Sequence, residues 1–158
     1  MLHRRELIKL TGTAVLTGML SPIVKAIPAR KKEPFRFCLN TSTISGQNPG
    51  LLKSLGIASA AGYDGVELWL SDIRGYLKQG NTVSTLAKFI ADRGLTVENA
   101  ISFAAWMVND AAKRKAGVQE LEEEMKILAA LGCRRIAAPP SGVSKSDPID
   151  FEQAGIYY

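Results

Sequence analysis

From residue 34 onward the apolar positions switch between two periods, one of about 3.6 residues and one of two, and a glycine marks each switch from the first to the second. Residues 51–61 carry Leu51, Leu52, Leu55 and Ala58 on one helical face; Gly62 follows, and 65–70 (GVELWL) reads as a strand. Residues 83–93 repeat the arrangement with Leu86, Phe89 and Ile90, stop at Gly94 and lead into 95–103 (LTVENAISF). A third helix, about 112–131, uses Leu121, Met125, Leu128 and Leu131, stops at Gly132 and leads into 133–138. A β-type run at 35–41 (FRFCLNT) precedes the first helix, and 151–158 reads as the opening of a fourth. Glycine takes the left-handed backbone that ends a helix without a Cβ penalty, so three helices closed at glycine form one repeated device.

Strands separated by such helices cannot pair as hairpins, so the pattern predicts an α/β chain with a parallel sheet and right-handed crossovers. The segments after the strands are long (42–50, 71–82, 104–111, 139–150), while those after the helices are short. Enlargement at the carboxyl ends of the strands alone is what a (β/α)8 barrel with its site on that face requires. No GxGxxG follows the first strand, which removes the usual cue for a dinucleotide fold. About four βα units are present, where a barrel has eight in about 250 residues. The 158-residue chain is therefore expected to be the amino-terminal half of a longer barrel.

Composition agrees with a packed domain: 46% of residues are hydrophobic and 22% charged, which argues against disorder. The net charge of +5 suggests an anionic partner until it is mapped. Residues 1–33 hold seven Lys/Arg against Glu6 and Glu33 and carry the whole excess, so the remainder is neutral. A nucleic-acid surface, which depends on clustered positive charge, is not expected. Cys38 and Cys133 match neither a CxxC pair nor a zinc spacing and are expected to be small buried side chains.

The first residues read as an address. HRRELIK at 3–9 is followed by an uncharged stretch to Val24 that Thr11, Gly12, Thr13, Thr17 and Gly18 dilute, too short and polar to span a membrane. Val24-Lys25-Ala26 suits cleavage after Ala26. With Arg4-Arg5, Leu7-Ile8 and Lys9, the segment resembles a twin-arginine leader, although His3 and Leu7 depart from the commonest residues of that pattern. The expected division is a leader over 1–26, a basic linker over 27–33 and the half barrel over 34–158, in a periplasmic or otherwise exported protein without a stable membrane anchor.

GYDGVELW at 62–69, ADRGL at 91–95 and GCRRIAAPP at 132–140 together resemble the sugar phosphate isomerase/epimerase family, the xylose isomerase-like barrels. NAISFAAW at 99–106 is similar to the third strand of exported members, and the resemblance covers about 35–143. It implies a divalent metal and proton transfer next to a carbonyl of a sugar or polyol. The family's metal ligands, acidic residues and a histidine from later strands, have no counterparts here, and the only histidine is His3. No metal is expected to bind this chain, and no catalytic residue is assigned in it apart from Glu67 as a possibility.

Glu67 interrupts an apolar strand, so Val66, Leu68 and Leu70 share one face and Glu67 and Trp69 the other. If the first set meets the helices, Glu67 points into the barrel, where a carboxylate can accept from sugar hydroxyls or move a proton; the alternative is a structural carboxylate held by a neighbouring strand. Trp69 and Trp106, at or just after strand ends, either stack on the C–H face of a sugar or pack over the mouth. Asn40 and Ser102 either bind hydroxyls or cap turns. The charge runs 113–115 and 120–124 read as a solvated helix face. Asn40, Glu67, Trp69, Ser102 and Trp106 are thus the expected carbohydrate contacts. The function expected of the whole is that of a sugar isomerase or epimerase, with a non-catalytic carbohydrate-binding barrel as the rival. An abasic-DNA endonuclease of related fold would need several histidines and a basic groove. Exposed sheet edges further predict self-association of the chain.

Overall fold

The glycine stops at Gly62 and Gly94 each lead into one strand of a parallel sheet. The computed structural model describes residues 35–145 and 148–158, of which Phe35–Tyr158 form one compact unit. The leader and linker, with His3, Arg4, Arg5 and Ala26, lie outside the described residues. Strands β1 (Cys38–Asn40), β2 (Gly65–Trp69) and β3 (Thr96–Ile101) lie side by side in chain order, each pair parallel. Between and after them come a 3-10 helix (Thr41–Gln47) and helices α1 (Leu51–Ala60), α2 (Leu70–Lys78), α3 (Val83–Ala91), α4 (Ala111–Ala130) and α5 (Phe151–Tyr157). Gly62, Gly94 and Gly132 stand at φ +81°, +66° and +77°, the left-handed stops that the sequence implies.

The alternation in β2 sorts the two sheet faces. Val66 and Leu68 are fully buried and join Leu39, Val97 and Ala100 of the neighbouring strands in a core closed by Leu55, Ile73, Leu86, Ile90 and Leu128 from α1 to α4. Glu67 and Trp69 lie on the opposite face, half-buried. The starts of α3, α4 and α5 are capped by short polar side chains, while α1 and α2 start without a side-chain cap. Thr82 and Thr85 form a capping box at α3, and Asp110 accepts from the N–H groups of Ala112 and Lys113 at α4. Those two backbone bonds hold the Asp110 carboxyl below its usual range.

Several expectations are corrected. The segment after β2 is no loop: α2 begins at Leu70 without a linker, burying Leu70 and Ile73, with Asp72 in its first turn and Lys78 in its last. Gly75 and the abrupt strand-to-helix change hide its period in the sequence. The first strand is three residues rather than seven, because Thr41 opens the 3-10 helix. The fourth strand shrinks to one bridge, Ile101 with Ala137, held by Ala137 N donating to Ala100 O (2.8 Å) and Ser102 N donating to Ala137 O (2.9 Å). Pro139 and Pro140 bring no N–H to extend it, and the Cys133 thiol turns back to Arg135 O (3.1 Å). Cys133 is buried as expected, but Cys38 is exposed; both are free.

Candidate functional site

The site starts from one carboxylate between two amides. Glu67 accepts from Asn40 Nδ2 of β1 at 2.9 Å through one oxygen and from Asn99 Nδ2 of β3 at 2.7 Å through the other. All three side chains stand on the sheet face turned away from the helix-packed core. The Asn40 carbonyl oxygen accepts from the Trp69 indole Nε1 (3.2 Å) and the Ser42 N–H (3.0 Å), which fixes that amide's orientation. Thr41 Oγ1 donates to the Glu67 backbone carbonyl at 3.3 Å.

A register shift makes this arrangement possible. Val66 pairs with Val97, but Glu67 pairs with Asn99, so β3 carries one extra residue, Glu98, at that step. In an unbroken ladder Glu67 would face Glu98, and two carboxylates directly opposite each other repel. The bulge instead presents Asn99 to Glu67. It turns Glu98 toward Arg36 (2.8 Å) and Arg135 (3.5 Å) near the amino ends of the strands. Below Asn40 on the same face, partial desolvation of the otherwise exposed Cys38 and the nearby Glu67 and Glu98 charges raise its thiol above its ordinary value.

An aromatic pair adjoins this polar floor. The Trp69 ring lies 5.3 Å from that of Phe103, at 42°, and Phe103 is exposed just beyond β3. The structure therefore brings Asn40, Glu67 and Trp69 together. Asn99 and Phe103 were not foreseen, although the adjacent polar pair Glu98-Asn99 between apolar Val97 and Ala100 is the signature of an inserted residue.

Ser102 and Trp106 lie elsewhere. Ser102 is buried and its Oγ donates to Glu124 of α4, on the helix side of the sheet. Trp106 is buried and donates to the carbonyls of Ala138 (3.2 Å) and Pro139 (3.0 Å), the packing role left open for it. Glu124 overturns the expectation of a solvated charge run: it is 2% exposed, because this turn of α4 meets α2 and the end of β3. Arg74 of α2 reaches it at 2.9 Å and also pairs with Glu120.

Among the described residues no three His, Cys, Asp or Glu side chains converge as metal ligands, and both Glu67 oxygens already hold amides. These residues do not fit a divalent metal. No helix among them is long and apolar enough to cross a membrane.

The sequence model of the xylose isomerase-like TIM barrel family matches residues 55–154. The chain belongs to that family. Its α/β architecture is that of a (β/α)8 barrel, of which it holds about the first four βα units. No curated protein matches it. Among solved structures it is similar to the IolI protein, whose crystal structure holds a zinc atom (TM-score 0.67, 20% identity, 78% of this chain and 43% of that one). It is similar too to D-psicose 3-epimerase from Clostridium cellulolyticum H10, solved with D-tagatose (0.62, 14%, 78% and 44%). A third is the probable 3-DHS dehydratase AsbF of Bacillus anthracis (0.55, 14%, 65% and 37%). At these identities the likeness is one of fold, and the chain spans less than half the length of each of these structures.

Proposed function

We propose that this chain supplies one side of the mouth of a sugar isomerase or epimerase barrel, and that Asn40, Glu67 and Asn99 bind hydroxyls of a carbohydrate beneath the Trp69–Phe103 platform. The observation that carries this reading is the convergence of two strand-borne amides on one carboxylate, on the sheet face opposite the helices. A barrel sets its site at the carboxyl ends of its strands, and a held carboxylate has lone pairs left for hydroxyl donors. In this reading a divalent metal and the proton-transferring groups belong to later strands of a longer protein. The zinc atom in the IolI structure supports a metal in such a barrel, and the greater length of the matched structures leaves room for further strands.

Carbohydrate binding without turnover is the second reading. One observation favours it for these residues: Glu67, with both oxygens engaged, is built as a fixed acceptor rather than a free base. On either reading Glu67→Ala weakens ketose binding to the full chain at least tenfold, measured by calorimetry. An unchanged affinity in a variant with native circular dichroism contradicts both.

Export and self-association belong to the same proposal. Arg4-Arg5 before a dilute apolar stretch supports a twin-arginine route, and fractionation of cells carrying Lys at both positions tests it. β1 forms one edge of the described sheet, and an unpaired edge recruits other chains. Light scattering at micromolar concentration should show a dimer or larger species; a monomer rejects self-association.

A further inference from the structure

The buried acid of α4 acts on the aromatic pair from the far side of the sheet, and this inference rests on the reading just given, in which that pair receives the sugar. Phe103 stands at the apex of a turn that two hydroxyls close. On one side Ser102 Oγ accepts from the Ala104 N–H at 3.1 Å; on the other Ser141 Oγ donates to the Phe103 carbonyl at 2.7 Å. A serine hydroxyl has a single hydrogen, and that of Ser102 goes to Glu124, which leaves the oxygen's lone pairs for Ala104 N. The Ser102 N–H is spent as well, on the Ala137 carbonyl at 2.9 Å. Every polar atom that shapes the turn is therefore committed, and the last link in the chain is a carboxylate that the proposed binding mode does not use.

Such a hold is needed because Phe103 has a second seat. It is 55% exposed and borders an open cleft of about 340 Å³ between α2 and α4, where Leu70, Ile101 and Ala104 offer apolar surface beside Arg74, Glu120 and Glu124. Withdrawal of the ring from water favours that cleft. The turn keeps it instead 5.3 Å from Trp69. α4 fixes the segment from outside the site at two points, two helical turns apart on one face: Gly117 admits the Ala105 carbonyl, and Glu124 takes the Ser102 hydroxyl. Arg74 sits on the other Glu124 oxygen, so the ion pair and the serine contact can be removed separately.

We infer that Ser102, set by Glu124, is a positioning residue that presents Phe103 to Trp69, and that sugar binding depends on both although they lie on the helix side of the sheet. The test follows two readouts in the full chain: the nuclear Overhauser contact between the Trp69 and Phe103 rings, and the affinity for D-fructose and D-tagatose by calorimetry. Ser102→Ala is expected to abolish the ring contact and to weaken the ketoses at least fivefold. Arg74→Met, which spares the hydroxyl–carboxylate bond, should lower the urea midpoint yet keep the ring contact and hold affinity within twofold. The double variant Arg74→Met, Glu124→Met should regain stability but lose the ring contact, with affinity down at least threefold. Stability and platform thus move in opposite senses, which a general loosening of the fold does not produce. A ring contact retained in Ser102→Ala, or readouts that follow the urea midpoint through the series, overturns this inference and leaves the carbohydrate reading standing. A lost ring contact with unchanged affinity overturns it too, since the pair then takes no part in binding. No ketose binding by the unaltered chain overturns the carbohydrate reading and this inference with it.

Discussion

Arg74→Met should lower the unfolding free energy of the chain by roughly 3 kcal/mol, near the lower end of the range for removing one partner of a buried ion pair. Glu124 is almost wholly enclosed, with Arg74 on one carboxylate oxygen and the Ser102 hydroxyl on the other. Without the guanidinium, the buried charge keeps one neutral partner. The loss stays at the low end because the Arg74 side chain is itself 37% exposed, so water reaches part of the gap. Methionine fills the volume of the arginine stem, which confines the effect to charge. The double variant Arg74→Met, Glu124→Met should recover most of the loss, since an apolar pair of similar volume needs no compensation. Urea midpoints followed by circular dichroism decide it. A loss below about 1 kcal/mol for the single variant, or a double variant no better than the single, would show that the pair does not hold α2 against α4.

Gly117→Ala should destabilise the chain, against the sign that helix propensity gives. Within α4, alanine is favoured over glycine by about 1 kcal/mol. Here, however, a Cβ would meet the Ala105 carbonyl oxygen and would come within 2.9 Å of Trp106 N. Both are backbone atoms that cannot rotate aside, and overpacking of this kind costs typically 1–3 kcal/mol. The net expectation is a loss of about 1 kcal/mol or more with a shifted Trp106 emission, because the segment that holds the indole against Ala138 and Pro139 must move. Gly56 in α1 provides the contrast: nothing lies within 4 Å of its would-be Cβ, so Gly56→Ala should gain up to about 1 kcal/mol. Equal signs for the two substitutions would contradict the close approach of α4 to this segment.

Helix stops at Gly62, Gly94 and Gly132 are local, set by φ alone, and the alternation Val66-Glu67-Leu68-Trp69 is local too; both are legible from the residues. That alternation puts Glu67 and Trp69 on one face, whereas Asn40 joins them through the pairing of β1 with β2. Asn99 was hidden because its side is decided by the one-residue shift at Glu98, which depends on what lies opposite in β2. Glu124 was hidden for the same kind of reason. A carboxylate in a run of charges looks solvated until an arginine 50 residues earlier is folded against it. Ser102 follows β3 directly and Trp106 lies in the segment after it, but which way each side chain turns follows from α4 and 137–139, not from its own neighbours.

If the Asn40–Glu67–Asn99 floor receives a carbohydrate, the side-chain amides of the two asparagines report on it directly. In a two-dimensional nitrogen–proton spectrum of the full chain, titration with a free ketose should shift the Asn40 and Asn99 amide pairs and the Trp69 indole signal together, along one saturating curve. Asn109, which donates to the Pro148 carbonyl outside the floor, should stay in place. Shifts confined to residues outside the floor, or none up to saturating sugar, would contradict the account.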